Sequence, residues 1–457
     1  MPDHIIHNRV GKTPLVRAEK LEEALGLERV YLKLEGNNPS GHREDRLADL
    51  IIRDALRLGK KTICIGLIDK LALSIAYLSR PYGVRCVFVL PEKSRESEKN
   101  ILQGSHVEII KFKGSAKEIA RHSRELSRKN GWYNASPGHE NNTLNMTALS
   151  YISSELAASL KGQVASVFTL MSYGFSSMGI NLGFRRLWNE GQMDDLPVLY
   201  SCTTDCGNVI YESYRRQSPK IVPQSSIKRK VSRYNRHLIN TETSIAQNAL
   251  DAVYDTGGVI IALSDEELKQ YVKEFKTLEN IKLHTSAGYA AAGLIKKARA
   301  GNLEQGNHVV ILNDGRVDLE VRHVSRQDLK IPPDQLIKIV DKWLLEYSDS
   351  HQDIREAFNN ALDQGFLLLA YHNGELSGIG VVVSLGFESF ATSYHLAYVA
   401  TGKSIKGRRI ATEILQKAIE LTDGNISLHV DRDNMRAIKL YEKMGFSRDY
   451  FRMIYHH

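Results

Sequence analysis

A chain of 457 residues, 42% of them hydrophobic, has room for roughly two to four domains with cores of ordinary size. No apolar run reaches the length of about 18 that suggests a membrane span, and Met1-Pro-Asp-His-Ile-Ile-His lacks the charged-then-apolar layout of a secretory signal. Cys64, Cys86, Cys202 and Cys206 are sparse; Cys202 and Cys206 have no second ligand pair at zinc-type spacing, so no metal site is expected and a reduced, cytoplasmic compartment fits.

The net charge of +8 is uneven, with 44 Lys+Arg against 34 Asp+Glu in residues 1–317 and 17 against 19 from Asp318 onward. Arg215, Arg216, Lys220, Lys228, Arg229, Lys230, Arg233 and Arg236 form the densest basic run. Such a run could meet an anionic ligand, but it reads as a solvated loop, and nucleic acid is not an expected partner.

From the N-terminus, short apolar runs at Val30–Leu34, Lys61–Ile65, Arg85–Leu90, Val107–Lys111, Ala165–Leu170 and His308–Leu312 read as strands. Helical patterns such as Leu47–Leu58 and Asp265–Phe275 lie between them. Alternation at this pace predicts a doubly wound α/β fold with a largely parallel sheet.

Gly11-Lys-Thr-Pro-Leu-Val16, Tyr31-Leu-Lys-Leu-Glu35 and Asn38-Pro-Ser-Gly41 resemble the opening of fold-type II pyridoxal-phosphate (PLP) enzymes. Thr256-Gly-Gly-Val-Ile-Ile-Ala262 with Ser264-Asp-Glu-Glu267 resembles the later part of threonine synthases. The resemblance implies that fold over residues 1–317, but not its chemistry. Where the family places a Schiff-base lysine, Asn38-Pro-Ser-Gly-His-Arg-Glu-Asp-Arg46 has Glu44, and a carboxylate cannot form an imine. The family's Ser-Gly-Asn loop corresponds to Gly66-Leu-Ile-Asp-Lys70. Its glycine-rich phosphate loop corresponds to Ser172-Tyr-Gly-Phe-Ser-Ser-Met-Gly179, where Tyr173, Phe175 and Met178 crowd the approach. PLP is therefore not expected as a cofactor, and Lys70, rather than the strand residue Lys33, is the stand-in amine to consider.

Residues 318–457 have a different rhythm. A strand opens at Leu319, and amphipathic helices follow over Asp334–Tyr347 and Gln352–Leu362. Phe366–Tyr371, Asn373-Gly and Leu376–Val383 predict a hairpin with an Asn-Gly turn, and Tyr394–Ala400 the next strand. Lys403-Ser-Ile-Lys-Gly-Arg-Arg-Ile-Ala-Thr412 runs into a helix over Glu413–Thr422. Then come the strand Ile426–Val430, an Asn-opened helix in Asn434-Met-Arg-Ala-Ile-Lys-Leu-Tyr-Glu-Lys-Met-Gly-Phe446, and a return strand Phe451–Tyr455. Asn434 is a good N-cap.

That ordered closing string resembles the GNAT acyl-CoA N-acyltransferases, so the fold class expected is α/β: a fold-type II PLP-enzyme-like domain followed by a GNAT α+β domain. The resemblance implies that Asn434 contacts the CoA arm and that Tyr441 protonates the departing thiolate. The family's pyrophosphate turn would read Lys406, Gly407, Arg408, Arg409, Ile410, Ala411, running into Thr412, with Arg409 where a glycine is usual; helix-start amides and cations suit phosphate. Ala397, Tyr398 and Val399 should pair their backbone with pantetheine amides. The base is left between Glu388 and His395.

The expected function is transfer of an acetyl or other acyl group from acyl-CoA to the amine of an amino acid or other small amine. The N-terminal domain then binds or orients substrate or dimerises, without catalysis of its own. Two alternatives stay open: a bifunctional enzyme still using PLP for β-replacement or elimination, and a non-catalytic scaffold binding CoA and an amino acid.

Overall fold

The computed structural model describes residues 10–66, 70–92, 105–136, 141–239, 245–301, 303–316, 319–372, 374–387, 392–402 and 410–448. The chain divides into two compact units, Met1–Arg316 and Val317–His457.

The first unit runs β1 (Leu15–Arg17), β2 (Arg29–Leu34), α1 (Asp45–Arg57), β3 (Thr62–Ile65), α2 (Lys70–Ser79), β4 (Arg85–Pro91), β5 (Val107–Phe112) and β6 (Tyr133–Asn134). It continues α3 (Asn142–Leu160), β7 (Ser166–Leu170), α4 (Phe175–Asn189), β8 (Val198–Thr204), β9 (Val259–Leu263), α5 (Tyr289–Arg299) and β10 (Asn307–Leu312), with further helices between. Instead of one sheet there are two, ordered β1-β2-β10-β7-β8-β9 and β5-β4-β3-β6. All pairings are parallel except β1 with β2.

Each sheet has its own core. Ile63, Phe88 and Leu90 pack with Ile51 and Ile75 from α1 and α2, whereas Val167, Leu199 and Val309 pack with Ile152 and Phe184 from α3 and α4. Strands buried on both faces read alike in sequence, so periodicity does not say which strands share a sheet. The expected strands coincide with β2, β3, β4, β5, β7 and β10 to within a residue or so. β8 escaped detection because Ser201 and Thr203 interrupt its apolar run although both are fully buried; Ser201 Oγ meets Ser177 Oγ at 2.8 Å. The Ser264-to-Glu267 motif closes a capping box at the start of the helix Asp265–Glu279.

The second unit runs β11 (Leu319–Val324), α6 (Pro333–Leu344), α7 (His351–Asp363), β12 (Phe366–His372), β13 (Glu375–Ser384), β14 (Tyr394–Thr401), α8 (Ile410–Leu421), β15 (Ile426–Leu428) and α9 (Met435–Lys443). Its sheet follows chain order and is antiparallel until the parallel pair β14–β15. Leu336, Val340, Ile354 and Phe358 of α6 and α7 cover one face; Ile410, Ile414 and Ala418 of α8 cover the other. A Cβ on Gly378 or Gly380 would come within 2.4 or 2.5 Å of Ile410 and Ile414, so β13 keeps glycine where α8 lies closest. The hairpin glycine, Gly374, has φ +84°, as an Asn-Gly turn requires. Asn373, Leu67–Asp69 and the expected return strand Phe451–Tyr455 lie outside the described residues. No helix among the described residues is long and apolar enough to cross a membrane.

Candidate functional site

In the second unit the sheet opens where β14 and β15 part. The β13–β14 register passes from Val381↔Tyr398 to Val382↔Leu396, leaving Ala397 as an extra residue. A bulge of this kind bends a strand and sharpens its twist. Pairing with β15 ends at Leu396↔Leu428, yet β14 continues to Thr401. From Ala397 onward its outer edge has no strand partner among the described residues, and such an edge can accept an extended amide-bearing arm. Ala397 and Val399 are half-buried. The Tyr398 side chain points into the core under α6 and α7, its hydroxyl donating to Asp349 Oδ2 at 2.8 Å. Only the main chain of Tyr398 can serve that edge.

Asn434 caps α9: its Oδ1 accepts from Ala437 N–H at 3.1 Å. The cap fixes the side chain and leaves its amide Nδ2 as a donor. Two turns on, Tyr441 packs in one apolar cluster with Val399, Leu428 and Leu440, its ring edge-on to Phe446 at 6.0 Å. Burial raises the Tyr441 pKa above the ordinary phenol value, so the hydroxyl is protonated at neutral pH.

Among the described residues helix α8 is seen from Ile410, three residues before the position expected from sequence. The Ile410 side chain is core, while Ala411 and Thr412 are half-buried in the first turn. Lys406, Gly407, Arg408, Arg409 and Glu388 lie outside the described residues. His395 is on β14; its Nδ1 hydrogen-bonds Ser427 Oγ at 2.9 Å and its ring faces His429 at 4.5 Å. Sequence reading singled out His395 without the Ser427–His429 pair, which only the parallel β14–β15 register brings beside it.

The first unit carries a buried ionic network. Arg46 donates to both oxygens of Glu35 at 2.7 and 2.8 Å, and to both of Glu155 at 2.7 and 3.0 Å. Lys33 joins from β2, donating to Glu155 and to the Thr13 carbonyl. Burial lowers the Lys33 pKa despite the two carboxylates, and this amine is committed to structure. Burial also pushes the Glu155 carboxyl up, but Arg46, with its hydrogen bonds, and Lys33 outweigh it and hold the pKa at about 2.

Beside this network a cluster of charged side chains gathers at the starts of α1, α2 and α4. Arg43 donates to Glu44 Oε1 at 3.1 Å and to Ser176 Oγ in the first turn of α4. Lys70, placed by sequence in a loop, is the first described residue of α2; its Nζ lies 3.9 Å from Asp314 Oδ2. Burial opposes the charge of Glu44, but Arg43 and Lys70 prevail and keep its pKa low. Burial and then Lys70 lower the pKa of His42, and the same two causes act on His237. Sequence reading named Glu44 and Lys70 but gave no role to His42 in the same string, and missed His237 and Asp314, which carry no motif signal and come from distant segments.

A PLP phosphate has a place here: Gly174, at φ +95°, leads into α4 with no side-chain cap, and Arg43 stands beside the helix start. The expected crowding is less than the sequence suggests, since Phe175 packs into the core and Tyr173 is 47% exposed. The aldehyde end fits poorly. Glu44 offers no amine, and Lys70 faces Asp314.

Residues 6–315 match the family model for pyridoxal-phosphate dependent enzymes, and residues 335–446 match that of the acetyltransferase (GNAT) family. A threonine synthase of Methanocaldococcus jannaschii is 26% identical over 336 residues, covering 71% of this chain and 80% of the relative. An O-acetylserine dependent cystathionine beta-synthase of Bacillus subtilis is 36% identical over 105 residues, 22% of this chain and 34% of that one. Among solved structures, a threonine deaminase isoform 2 from Solanum lycopersicum superposes with a TM-score of 0.56 at 17% identity, covering 68% of this chain and 80% of its own. An L-serine ammonia-lyase from Rhizomucor miehei gives 0.54 at 22%, covering 67% and 93%. The chain belongs to the pyridoxal-phosphate dependent enzyme family and carries a C-terminal domain of the acetyltransferase (GNAT) family.

Proposed function

We propose that the protein is an N-acyltransferase that moves an acetyl or other acyl group from acyl-CoA to the amine of an amino acid or another small amine. The observation that carries this reading is the parting of β14 from β15, with Tyr441 and Val399 packed against the same core cluster. The pantetheine arm would lie along the free edge at Ala397, Tyr398 and Val399 as an added strand. Its pyrophosphate would meet the start of α8 at Ile410, Ala411 and Thr412, with Lys406 to Arg409 preceding it, and Asn434 Nδ2 would donate to the arm. The neutral amine attacks the thioester carbonyl and the C–S bond breaks. The thiolate takes its proton from Tyr441, and the proton lost by the nitrogen goes to a base, for which Glu388 and His395 remain the candidates. The first unit would act without PLP chemistry of its own, binding substrate or dimerising. An amine screen with acetyl-CoA, read by release of free thiol, tests the proposal; no acylated product with any amine would sink it.

Family membership and the threonine synthase relatives favour a second reading, a bifunctional enzyme in which the first unit still uses PLP in amino-acid metabolism. The anion-ready start of α4 supports it, whereas Glu44 and the engagement of Lys70 weigh against it.

A further inference from the structure

The helix Asp265–Glu279 buries Leu268, Val272 and Phe275 and carries Lys269, Lys273 and Lys276 four and three residues apart. At that spacing the lysines share one stripe about 10 Å long. Together with Val272, Thr277 and Thr285 they line an open depression of about 330 Å³, within the roughly 300–1,000 Å³ usual for small-molecule sites. Thr285 belongs to a separate turn, Thr285–Ala287, so two segments frame the depression. No acidic side chain among the described residues lines it. Like charges three and four residues apart destabilise a helix, and the acidic residues of this helix are committed elsewhere. Glu267 caps the helix start and pairs with Lys296, Glu274 holds Arg299, and Glu279 accepts from Leu21 N–H. Glu266 lies 3.9 Å from Lys269 and is 81% exposed. Lys273 and Lys276 meet no carboxylate within ion-pair distance among the described residues. The basic run seen in the sequence reaches the same place, for the Tyr234 ring is met by Arg233 at 4.6 Å and by Lys269 at 5.9 Å.

We propose that this depression is a binding site for a small molecule bearing a phosphate or diphosphate group, held by Lys269, Lys273 and Lys276 with Thr285 as a hydroxyl donor. Lysine ammonium groups are point charges that suit phosphate oxygens. Three of them along about 10 Å fit an anion whose own charges are spread out better than a lone carboxylate. Thr277 spends its hydroxyl proton on the Lys273 carbonyl at 3.0 Å, which leaves Thr285 as the hydroxyl that turns to the ligand. Binding an anion here removes the repulsion among the lysines and requires no covalent step. The site is built from the first unit alone, shares no residue with the start of α4, and stands apart from the acyl-transfer reading.

The test is calorimetric titration of the full-length protein with pyrophosphate, inorganic phosphate and acetate, in the absence of acyl-CoA. Pyrophosphate should bind tightest and acetate weakest, and the affinity for pyrophosphate should fall as salt rises. Lys273→Gln and Lys276→Gln should each weaken pyrophosphate about ten-fold, the scale of one lost charge-assisted hydrogen bond, and Thr285→Val about three-fold. All three changes lie on the surface or half-buried, and unfolding midpoints measured alongside show that the variants are folded. Pyrophosphate should raise the wild-type midpoint more than that of either lysine variant. Two controls separate this site from the other places that suit phosphate: Ala411→Asp at α8 and Arg43→Gln at α4 should leave the pocket-dependent binding in place. Loss of pyrophosphate binding in either control, lysine variants that bind as wild type, or no binding of pyrophosphate at all would overturn the proposal. A short single-stranded oligonucleotide makes the last arm. If it binds more tightly than pyrophosphate and loses affinity in Lys230→Gln and Arg233→Gln but not in the pocket variants, the basic run is a nucleic-acid surface and the proposal fails. A separate titration with acetyl-CoA reports on the second unit, so the two readings fail independently.

Discussion

Arg46 on α1 holds Glu155 on α3 in a two-pronged grip, Nη1 to Oε1 at 2.7 Å and Nη2 to Oε2 at 3.0 Å, while its Nε and the same Nη2 hold Glu35 beyond β2. Gly11 N–H donates to Asn38 Oδ1, Thr13 Oγ1 to Glu35, and Lys33 to Glu155. The segments that carry the likeness to PLP enzymes thus hold together two charges of each sign in the interior. Retaining them keeps the fold, whatever becomes of the chemistry at residue 44.

Glu155→Ala should therefore destabilise the first unit severely, because it leaves Arg46 and Lys33 short of a carboxylate; breaking a buried pair from one side costs about 3–5 kcal/mol. Differential scanning calorimetry of the full chain should show the loss in the transition of the first unit. A midpoint unchanged from wild type would mean that water takes over the role of the carboxylate.

The same carboxylate predicts an acid limit. Its pKa is depressed in the fold to about 2 from an ordinary 4.5, so its contribution is present above pH 4.5 and is lost as pH falls toward 2. The wild-type unfolding midpoint should drop steeply across that window. In Glu155→Gln the curve should start lower and fall less, and parallel curves would assign the acid loss to other carboxylates.

Much of the fold was legible because buried parallel strands and amphipathic helices write their periods plainly: β2, β4 and α7 lie close to their expected positions. The split into two sheets was not legible, since strand pairing depends on crossover geometry rather than on any strand's own residues. In the second unit Asn434 and Tyr441 stand on one helix and could be read as a string. The Ala397 bulge and the Ser427–His395–His429 contact arise from register, which no local pattern records. In the first unit Glu44 stood out as a departure from a motif, whereas Asp314 and His237 reach the charged cluster around Lys70 from far along the chain.

Incubation with PLP should leave no borohydride-reducible lysine adduct. Glu44 has no amine, Lys33 is locked to Glu155, and Lys70 faces Asp314. Peptide mapping after reduction decides the matter: a PLP-modified Lys70 at stoichiometric yield would revive the bifunctional reading. Glu44→Lys should restore no lyase activity, because it returns an amine without the family's Ser-Gly-Asn loop, which reads Gly66-Leu-Ile-Asp-Lys70 in this chain.

Ala411→Asp places a carboxylate in the first turn of α8, where the proposed pyrophosphate would sit. An acidic residue near a helix start normally helps the helix by about 0.3–1 kcal/mol, so folding should not suffer. Acetyl-CoA affinity should fall by about ten-fold or more, since two like charges at about 4 Å repel by roughly 4 kcal/mol at a protein surface before screening. Calorimetric titration in low and moderate salt measures it, with the defect shrinking as salt rises. An unaltered dissociation constant would move the pyrophosphate away from α8.

Tyr441→Phe removes a hydroxyl and leaves a ring that still packs against the core cluster and edge-on to Phe446. The Tyr441 side chain makes no hydrogen bond to any described residue, so the substitution orphans no partner there. Burial raises the phenol pKa, which keeps the proton in place at neutral pH and makes the hydroxyl a donor rather than a base. If it protonates the leaving thiolate, general-acid catalysis of about 10²- to 10⁴-fold is at stake. The lower end is expected, because water can deliver the proton along an edge as open as β14. The deficit should fall on kcat, with acetyl-CoA affinity unchanged, since the hydroxyl matters only as negative charge builds on sulfur. A donor that no longer needs the acid gives a second reading of the same step: with an acyl donor whose thiol has a low pKa, Tyr441→Phe should approach wild-type turnover. Equal deficits with both donors would assign Tyr441 to packing, and the proton would have to come from elsewhere.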